Sequence, residues 1–391
     1  MLVQSALSSL FARANEVGVA GTFQFVFSGQ QHFWVRAPAC TQVHTGMHPQ
    51  ADVTIAMDAS VFLAIMRGQS DIEALFAQGQ LKIAGRLGLA TLLPRLVSRA
   101  LHGGDGERVE MDRRYPARPR VSEQLSARLD MRGGIERRAA RQLSVHEFTT
   151  RYRAVGKPLV LNSALDDWPL AKMSIGQALE HFSDVQGISR HGHYADHAFS
   201  SGREFKAVRV VDFVAGMEQS GHPASDEPAA YMGNNQLPRQ WLHLIRFPEL
   251  FERSQYIAPR FWLGPMGTLT PLHRDDTDNL FAQVWGEKSI LLAAPHHREA
   301  LGSWATSPDG GLEGCDFNPD KPNWEDFPAA RNVDFLRVRL GPGDLLFLPE
   351  GWFHQVSSLT TSLSINFWTR SVRIPAEARV AVSVLTETAG S

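Results

Sequence analysis

Cysteine is nearly missing from this chain of 391 residues, which holds two, Cys40 and Cys315, far apart. So few exclude a disulfide framework and any cysteine-rich zinc module. They suit a reducing compartment, so the expected location is cytoplasmic. An excess of charge is also missing: 39 lysines and arginines face 41 aspartates and glutamates, a formal net charge of −2. No global field therefore favours a nucleic acid or an acidic membrane as partner. No run of about eighteen uncharged apolar residues occurs, so no transmembrane segment is expected. The opening residues MLVQSALSSLFARANEVGVAG lack a basic leader and soon carry charge, and read as an amphipathic helix rather than a signal peptide. Internal repeats and low-complexity tracts are absent as well.

What remains is the composition of a globular protein, 43% hydrophobic and 20% charged, too long for one core and expected to form two or three domains. Within the first hundred residues a helical start, Leu2 to Val17, leads into Gly21-Thr22-Phe23-Gln24-Phe25-Val26-Phe27. Phenylalanine at every second position places the rings on one face of a strand. Ser28-Gly29-Gln30 reads as a turn and His32 to Val35 as the partner strand. Asp52 to Met57 alternates again, and Asp58 or Ser60 is placed to cap a helix through Phe62, Leu63, Ile65 and Met66. A second helix, Asp71 to Ala77, precedes Leu81-Lys82-Ile83 and a last apolar helix from Leu87 to Val97. The segments Ala51-Asp52-Val53-Thr54-Ile55, Gly68 and Leu75-Phe76-Ala77-Gln78-Gly79-Gln80-Leu81-Lys82-Ile83-Ala84-Gly85 resemble the sterol carrier protein 2 family. That resemblance covers residues 1–101 and implies a small sheet covered by helices around an apolar tunnel, with a lipid as possible ligand.

Residues 102–142 read as a linker. Gly103-Gly104-Asp105-Gly106 is flexible, and Arg113-Arg114-Tyr115-Pro116-Ala117-Arg118-Pro119-Arg120 is basic but interspersed with acids, as in a solvated linker rather than a nucleic-acid arm. A second domain, 143–375, opens on the capping box Ser144-Val145-His146-Glu147. The buried-strand pattern Lys157 to Leu161 follows, and Asp166-Asp167-Trp168-Pro169 closes it with a turn. Short alternating segments continue from Arg260, as in a barrel or sandwich. A tail, 376–391, ends the chain. The expected class is α+β throughout.

The chemistry concentrates in Thr270-Pro271-Leu272-His273-Arg274-Asp275, extended through Asn279 to Lys288. Residues i and i+2 of a strand share a face, so His273 and Asp275 reach one ion while Arg274 points away. A second imidazole, His354, follows the turn Gly341-Pro342-Gly343-Asp344, the apolar strand Leu345 to Leu348, and Pro349 to Phe353. Two histidines and one carboxylate with an open face suit non-haem iron(II), with zinc the chemical rival. Each piece alone is weak, and their combination in this context is strong. Trp285 and Trp368 read as barrel packing, with Trp368 a candidate for the pocket mouth. His191, His193 and His197 read as a loop shaping a substrate groove, and His296-His297 as part of a solvated loop.

This half, residues 140–372, resembles the cupin-like branch of the JmjC oxygenases, most closely the branch that hydroxylates asparagine in hypoxia-inducible factor. The resemblance implies a double-stranded β-helix that binds Fe(II) through His273, Asp275 and His354 and uses 2-oxoglutarate and O2 as cosubstrates. Thr270 and Lys288 match the positions that hold the distal carboxylate of 2-oxoglutarate, Asn279 and Asn366 those flanking it, and Tyr231 a tyrosine reaching it. The implied activity is hydroxylation of an unactivated C–H bond, preferentially on an amino-acid side chain of a peptide or protein. Asp275 in place of Glu, the hydroxylase lysine, and the lack of a chromatin-reader module favour hydroxylation over N-methyl demethylation. A lipid or small metabolite is the alternative substrate, and a lipid-binding scaffold with a silent barrel the alternative function. A sugar-isomerase-type cupin has no use for Lys288 beside Thr270. One short helix in the tail, Ala376 to Val382, makes a homodimer conceivable.

Overall fold

The structure is a computed structural model and describes residues 2–102, 126–196, 204–219, 229–306 and 312–369, apart from single positions 13, 30, 39 and 183. The basic linker stretch, His197 and the C-terminal tail lie outside the described residues. In the N-terminal part, β1 (Gly21–Phe27), β2 (Phe33–Ala37), β3 (Cys40–Thr45), β4 (Val53–Met57) and β5 (Lys82–Gly85) form one sheet in the order β3-β2-β1-β4-β5. The central strand carries the phenylalanine period. Phe23, Phe25 and Phe27 are buried together on one face, and Phe62 meets Phe25 and Phe27 at 6.0 and 5.5 Å. The opposite face holds buried Gln24, whose amide donates to the carbonyls of Phe33 and Gly46 while its oxygen accepts from the His48 amide. Polar groups at alternate positions are tolerated here because each finds a partner.

Three details differ from the sequence pattern. The first helix is two pieces, Leu2–Phe11 and Ala14–Val17, and the last is split into Leu87–Ala90 and Leu93–His102. Pro94 lies in the first turn of the latter, the place where a residue without an N–H is tolerated and a preceding helix cannot run through. Strand β3, with the sequence CTQVHT, has no apolar alternation to announce it. As to caps, Asp58 occupies its N-cap position without a side-chain bond, whereas Asp71 accepts from the Ala74 amide at 2.8 Å.

The C-terminal part contains β6 (Glu136–Ala139), β7 (Leu159–Asn162), β8 (Gln186–His191), β9 (Glu204–Arg209), β10 (Met232–Gln236), β11 (Arg260–Gly264), β12 (Leu269–Arg274) and β13 (Asn279–Trp285). It continues with β14 (Lys288–Ala293), β15 (Ser303–Ala305), β16 (Glu313–Cys315), β17 (Leu336–Leu340), β18 (Leu345–Leu348), β19 (Phe353–Ser358) and β20 (Ser362–Trp368). A seven-stranded sheet, β10-β11-β20-β13-β18-β7-β6, faces a six-stranded one, β15-β16-β12-β19-β14-β17. β6 pairs in parallel with β7, so residues read from the sequence as linker are part of the larger sheet. The misreading has a plain cause: Glu-Arg-Arg-Ala carries no apolar residue before its last position, and its ladder is supplied by a strand twenty residues on.

Both faces of the larger sheet are covered. Leu280, Ala282 and Val284 pack outward under a helical layer that includes Phe148, Tyr152, Trp168 and Trp241. Phe281 faces inward to meet Ile290, Leu292, Leu346 and Val356 at the dry end of the barrel. Only half of the predicted capping box forms. Ser144 Oγ accepts from the Glu147 amide, but the Glu147 carboxylate turns to Arg138 and Arg151. The two parts of the chain touch: Arg260 grips Glu73 with two bonds, at 3.0 and 2.6 Å, and Ile188 packs on the N-terminal core.

One buried ion pair ties the barrel's outer helix to the loop after β12. Arg153 Nε lies 3.4 Å from Asp278 Oδ2, with the two side chains almost fully buried, and Asp278 Oδ1 accepts from the Glu350 amide. Deleting one member of such a pair costs about 3–5 kcal/mol. Asp278→Ala is therefore expected to lower stability by about that amount in denaturant unfolding of the barrel, and a loss below about 1 kcal/mol would contradict this role.

Candidate active site

The histidines come together through strand register. In the antiparallel pair β12–β19, His273 stands opposite His354 and Thr270 opposite Val356. Two residues on β12, Pro271 and Leu272, thus oppose one on β19, Gln355, a bulge that includes Pro271, a residue with no N–H to give the ladder. Without that extra residue Thr270 and His273, three apart, would face opposite ways. With it, both face the barrel interior.

Asp275 lies one residue past the end of β12. Its carbonyl accepts from the Gly351 amide at 2.9 Å, and its Oδ2 accepts from Trp368 Nε1 at 2.9 Å and lies 3.9 Å from His354 Nε2. One donor atom from each of His273, Asp275 and His354 falls within 4.8 Å of the others, the only such group of His, Cys, Asp and Glu among the described residues. His273 Nδ1 faces the Pro271 carbonyl at 2.7 Å and His354 Nδ1 the Trp352 carbonyl at 3.0 Å. A carbonyl only accepts, so both Nδ1 atoms carry the hydrogen and both Nε2 atoms present a lone pair. Burial lowers the pKa of both rings, and their mutual proximity lowers that of His273 further, so neutral imidazoles face the site. The donor set, its tautomers and its spacing fit a divalent transition metal. Arg274 points outward to Glu313 at 2.6 Å. Burial would raise the Glu313 carboxyl, but hydrogen bonds from Arg274, Ser303 and Arg298 hold it at about 2.

The five residues expected around 2-oxoglutarate converge beside this group. Lys288 is fully buried, and its Nζ donates to Ser364 Oγ at 2.7 Å and to Tyr231 Oη at 3.2 Å. The Tyr231 phenol is in hydrogen-bond contact with Thr270, and burial raises its pKa. No described carboxylate lies within ion-pair distance of Lys288, and burial pulls its pKa down to about 7. Register sets Asn279 opposite Trp368 and Phe281 opposite Asn366, all on the inner face. The side-chain amide of Asn279 is buried with neither atom hydrogen-bonded, and Asn366 Oδ1 is in the same condition. A buried ammonium without a counter-charge and orphaned amides are what a polar, anionic guest would satisfy, so the residues fit the cosubstrate.

Sequence reasoning missed Ser364, a serine in an apolar strand that only cross-strand register places beside Lys288. Trp368 does more than pack, since it hydrogen-bonds the metal-facing carboxylate. Trp285 remains a packing residue, donating to the Leu170 carbonyl. The histidine-rich stretch is not a simple loop: His191 ends β8, bonded to Ser189, and exposed His193 lies 3.7 Å from Asp196. His296 and His297 form a half-buried 3-10 turn rather than a solvated loop, with Ser126 at 3.1 Å from His296. No helix among the described residues is long and apolar enough to cross a membrane.

Comparison with known proteins agrees with this geometry. Residues 145–372 match the family described as the cupin-like domain, and residues 11–98 match the SCP-2 sterol transfer family. Jumonji C domain-containing protein 5 of Drosophila melanogaster is 28% identical over 246 residues, 58% of this chain and 57% of that protein. Lysine-specific demethylase 8 of Xenopus tropicalis is 28% identical over 241 residues, 58% of this chain and 51% of the relative. JmjC domain-containing protein F of Dictyostelium discoideum is 36% identical over 198 residues, 42% of this chain and 41% of that protein. The chain spans about half the length of these relatives or less. A barrel with a two-histidine, one-carboxylate cluster and a family match over more than half its length place this chain in the cupin-like JmjC family, with an SCP-2 domain ahead of the barrel.

Proposed function

We propose that the protein is an Fe(II)- and 2-oxoglutarate-dependent oxygenase that hydroxylates an unactivated C–H bond, on an amino-acid side chain of a peptide or protein. The observation that carries this reading is the buried Lys288, with no described carboxylate in ion-pair distance, in the same barrel as a cluster of three side chains that could hold a metal. A structural barrel has no reason to keep an ammonium in its interior, because desolvating it costs several kcal/mol.

In this reading His273 and His354 would give Nε2 lone pairs to the metal, and Asp275 would give a carboxylate oxygen, its carboxylate oriented by Trp368. Iron with 2-oxoglutarate and oxygen supplies the power to oxidise a C–H bond. Lys288, Thr270 and Tyr231 hold the far carboxylate of 2-oxoglutarate. Asn279 and Asn366 supply amide contacts on its flank. The apolar end of the barrel, with Phe281, Ile290 and Leu292, keeps bulk water from the reacting centre. Relatives carry names that include lysine-specific demethylase and tRNA wybutosine-synthesizing protein, so the substrate does not follow from kinship. Asp275 as metal carboxylate and the position of Lys288 support hydroxylation. The SCP-2 domain supports a lipid or small metabolite as the alternative substrate.

Succinate release from 2-oxoglutarate by protein given iron(II), ascorbate and oxygen is the direct test. Turnover is expected in the natural protein and is expected to vanish in His273→Ala. In Lys288→Ala the KM for 2-oxoglutarate should rise roughly 30-fold, the loss of about 2 kcal/mol from a charge-assisted bond. Failure of the iron-loaded protein to bind 2-oxoglutarate would overturn the reading in favour of a lipid-binding scaffold.

The lowered pKa of Lys288 adds a pH signature. Between about pH 7 and the ordinary lysine range, the free site has largely lost the proton that a bound carboxylate restores. Binding of 2-oxoglutarate at about pH 8 is therefore expected to take up a proton, and affinity to fall as pH rises. Calorimetry in buffers of differing ionisation enthalpy reads the uptake, and zero uptake would mean that Lys288 does not meet the carboxylate.

A further inference from the structure

Arg190 has no part in the machinery described above. It forms an isolated antiparallel bridge with Tyr231, the two residues exchanging backbone hydrogen bonds at 2.8 and 3.0 Å. Directly opposed residues share a sheet face, so Arg190 lies on the face from which Tyr231 reaches Lys288. Its guanidinium carbon is 5.9 Å from the Tyr231 ring centre and packs on Gly233, where an added Cβ would come within 3.1 Å of it. Its Nε is buried without a partner, and no described carboxylate lies within ion-pair distance.

On its far side Arg190 lines a cavity of about 450 Å3 between the two domains. Phe76, Ala77 and Pro94 of the N-terminal domain form one wall, and Ile188 and Gln186 of β8 belong to the other. The one carboxylate in that lining, Glu73, is already held twice by Arg260. Between Arg190 and Asp275 stands an aromatic group, Tyr194, Tyr231 and Trp262, with Trp368 packed against it. Arg190 is half-buried; a guanidinium stays charged in a protein, and withdrawing part of it from water with no described carboxylate beside it is costly. Lys288 accounts for one carboxylate, that of the cosubstrate, and Arg190 is left over.

We propose that Arg190 anchors a carboxylate of the primary substrate, which enters through the cavity between the SCP-2 domain and the barrel. The substrate is then an acidic amino-acid side chain or a free organic acid, its carbon chain held against the aromatic group toward Asp275. This rests on the oxygenase reading and makes the N-terminal domain one wall of the substrate entrance.

The test is binding, not turnover, on the whole chain loaded with manganese(II) and saturated with 2-oxoglutarate under argon, so that the Lys288 end is filled. Calorimetric titrations compare a glutamate-centred pentapeptide with its glutamine and lysine counterparts, and butyrate with butyramide. We expect the acid to bind at least tenfold more tightly than its amide in one pair, and that pair identifies the peptide or the free acid as the source. Arg190→Gln should abolish the preference, Arg190→Lys retain part of it, and Arg190→Glu favour the lysine peptide. Equal binding of acid and amide, no binding in either pair, or a preference that survives Arg190→Gln overturns the proposal. Should the variants not fold, modification of Arg190 by phenylglyoxal in the natural protein, read by mass spectrometry, decides: protection by the acid but not the amide supports the anchor, and equal protection overturns it. The preliminary titration of 2-oxoglutarate reports separately on the oxygenase reading, since its failure leaves the Arg190 comparison intact on the metal-loaded protein.

Discussion

The pairing of His273 with His354 across β12 and β19 is the constraint on which the rest of the structure depends. Two imidazoles held opposite each other need rigid backbones, a fixed tautomer and a third ligand arriving from the same direction. The ladder provides the first, and the carbonyls of Pro271 and Trp352 the second. The turn at Gly351 and the indole of Trp368 bring in Asp275. The bulge at Pro271 then turns Thr270 inward as well, so one irregularity serves both the metal cluster and the neighbouring pocket.

Around that pair the interior is divided by polarity. Phe281, Ile290, Leu292 and Val356 supply a dry lining, while Lys288 is bonded to Ser364 and Tyr231, and the Asn279 amide and Asn366 Oδ1 find no described partner. Burial without partners destabilises a resting fold, and stability has to come from elsewhere. Much of it comes from the aromatic layer outside the larger sheet and from ties such as Arg153–Asp278 just beyond the ligand loop.

The second domain changes how this barrel meets its surroundings. Arg260 and Glu73 join the two parts at the sheet edge, and the cavity between them opens beside Arg190. A domain of the SCP-2 sterol transfer family is here a neighbour of the barrel, and residues of both line the cavity beside Arg190.

Much of this was legible in one dimension. The phenylalanines of β1 announced a strand because side chains alternate with a period of two, and the spacing of His273 and Asp275 with a later His354 announced a metal cluster because few chemistries use that set. Resemblance added Thr270, Lys288, Asn279, Asn366 and Tyr231, of which Lys288 and Tyr231 are hydrogen-bonded and Asn279 and Asn366 sit on the inner face. What could not be read there depends on partners distant in sequence. β6 is a strand because β7 supplies its ladder, and Ser364 meets Lys288 because register places it there. Trp368 reaches Asp275 across 93 residues of chain. Arg190 is an ordinary arginine in the sequence, and it becomes a half-buried charge with no described carboxylate in ion-pair distance only when Tyr231 pairs with it and a second domain closes over that side. Local period and motif are properties of neighbouring residues, so the sequence by itself determined many of the elements and the candidate metal-ligand set. Burial, register and counter-charge are properties of residues far apart, and only the tertiary structure decided them.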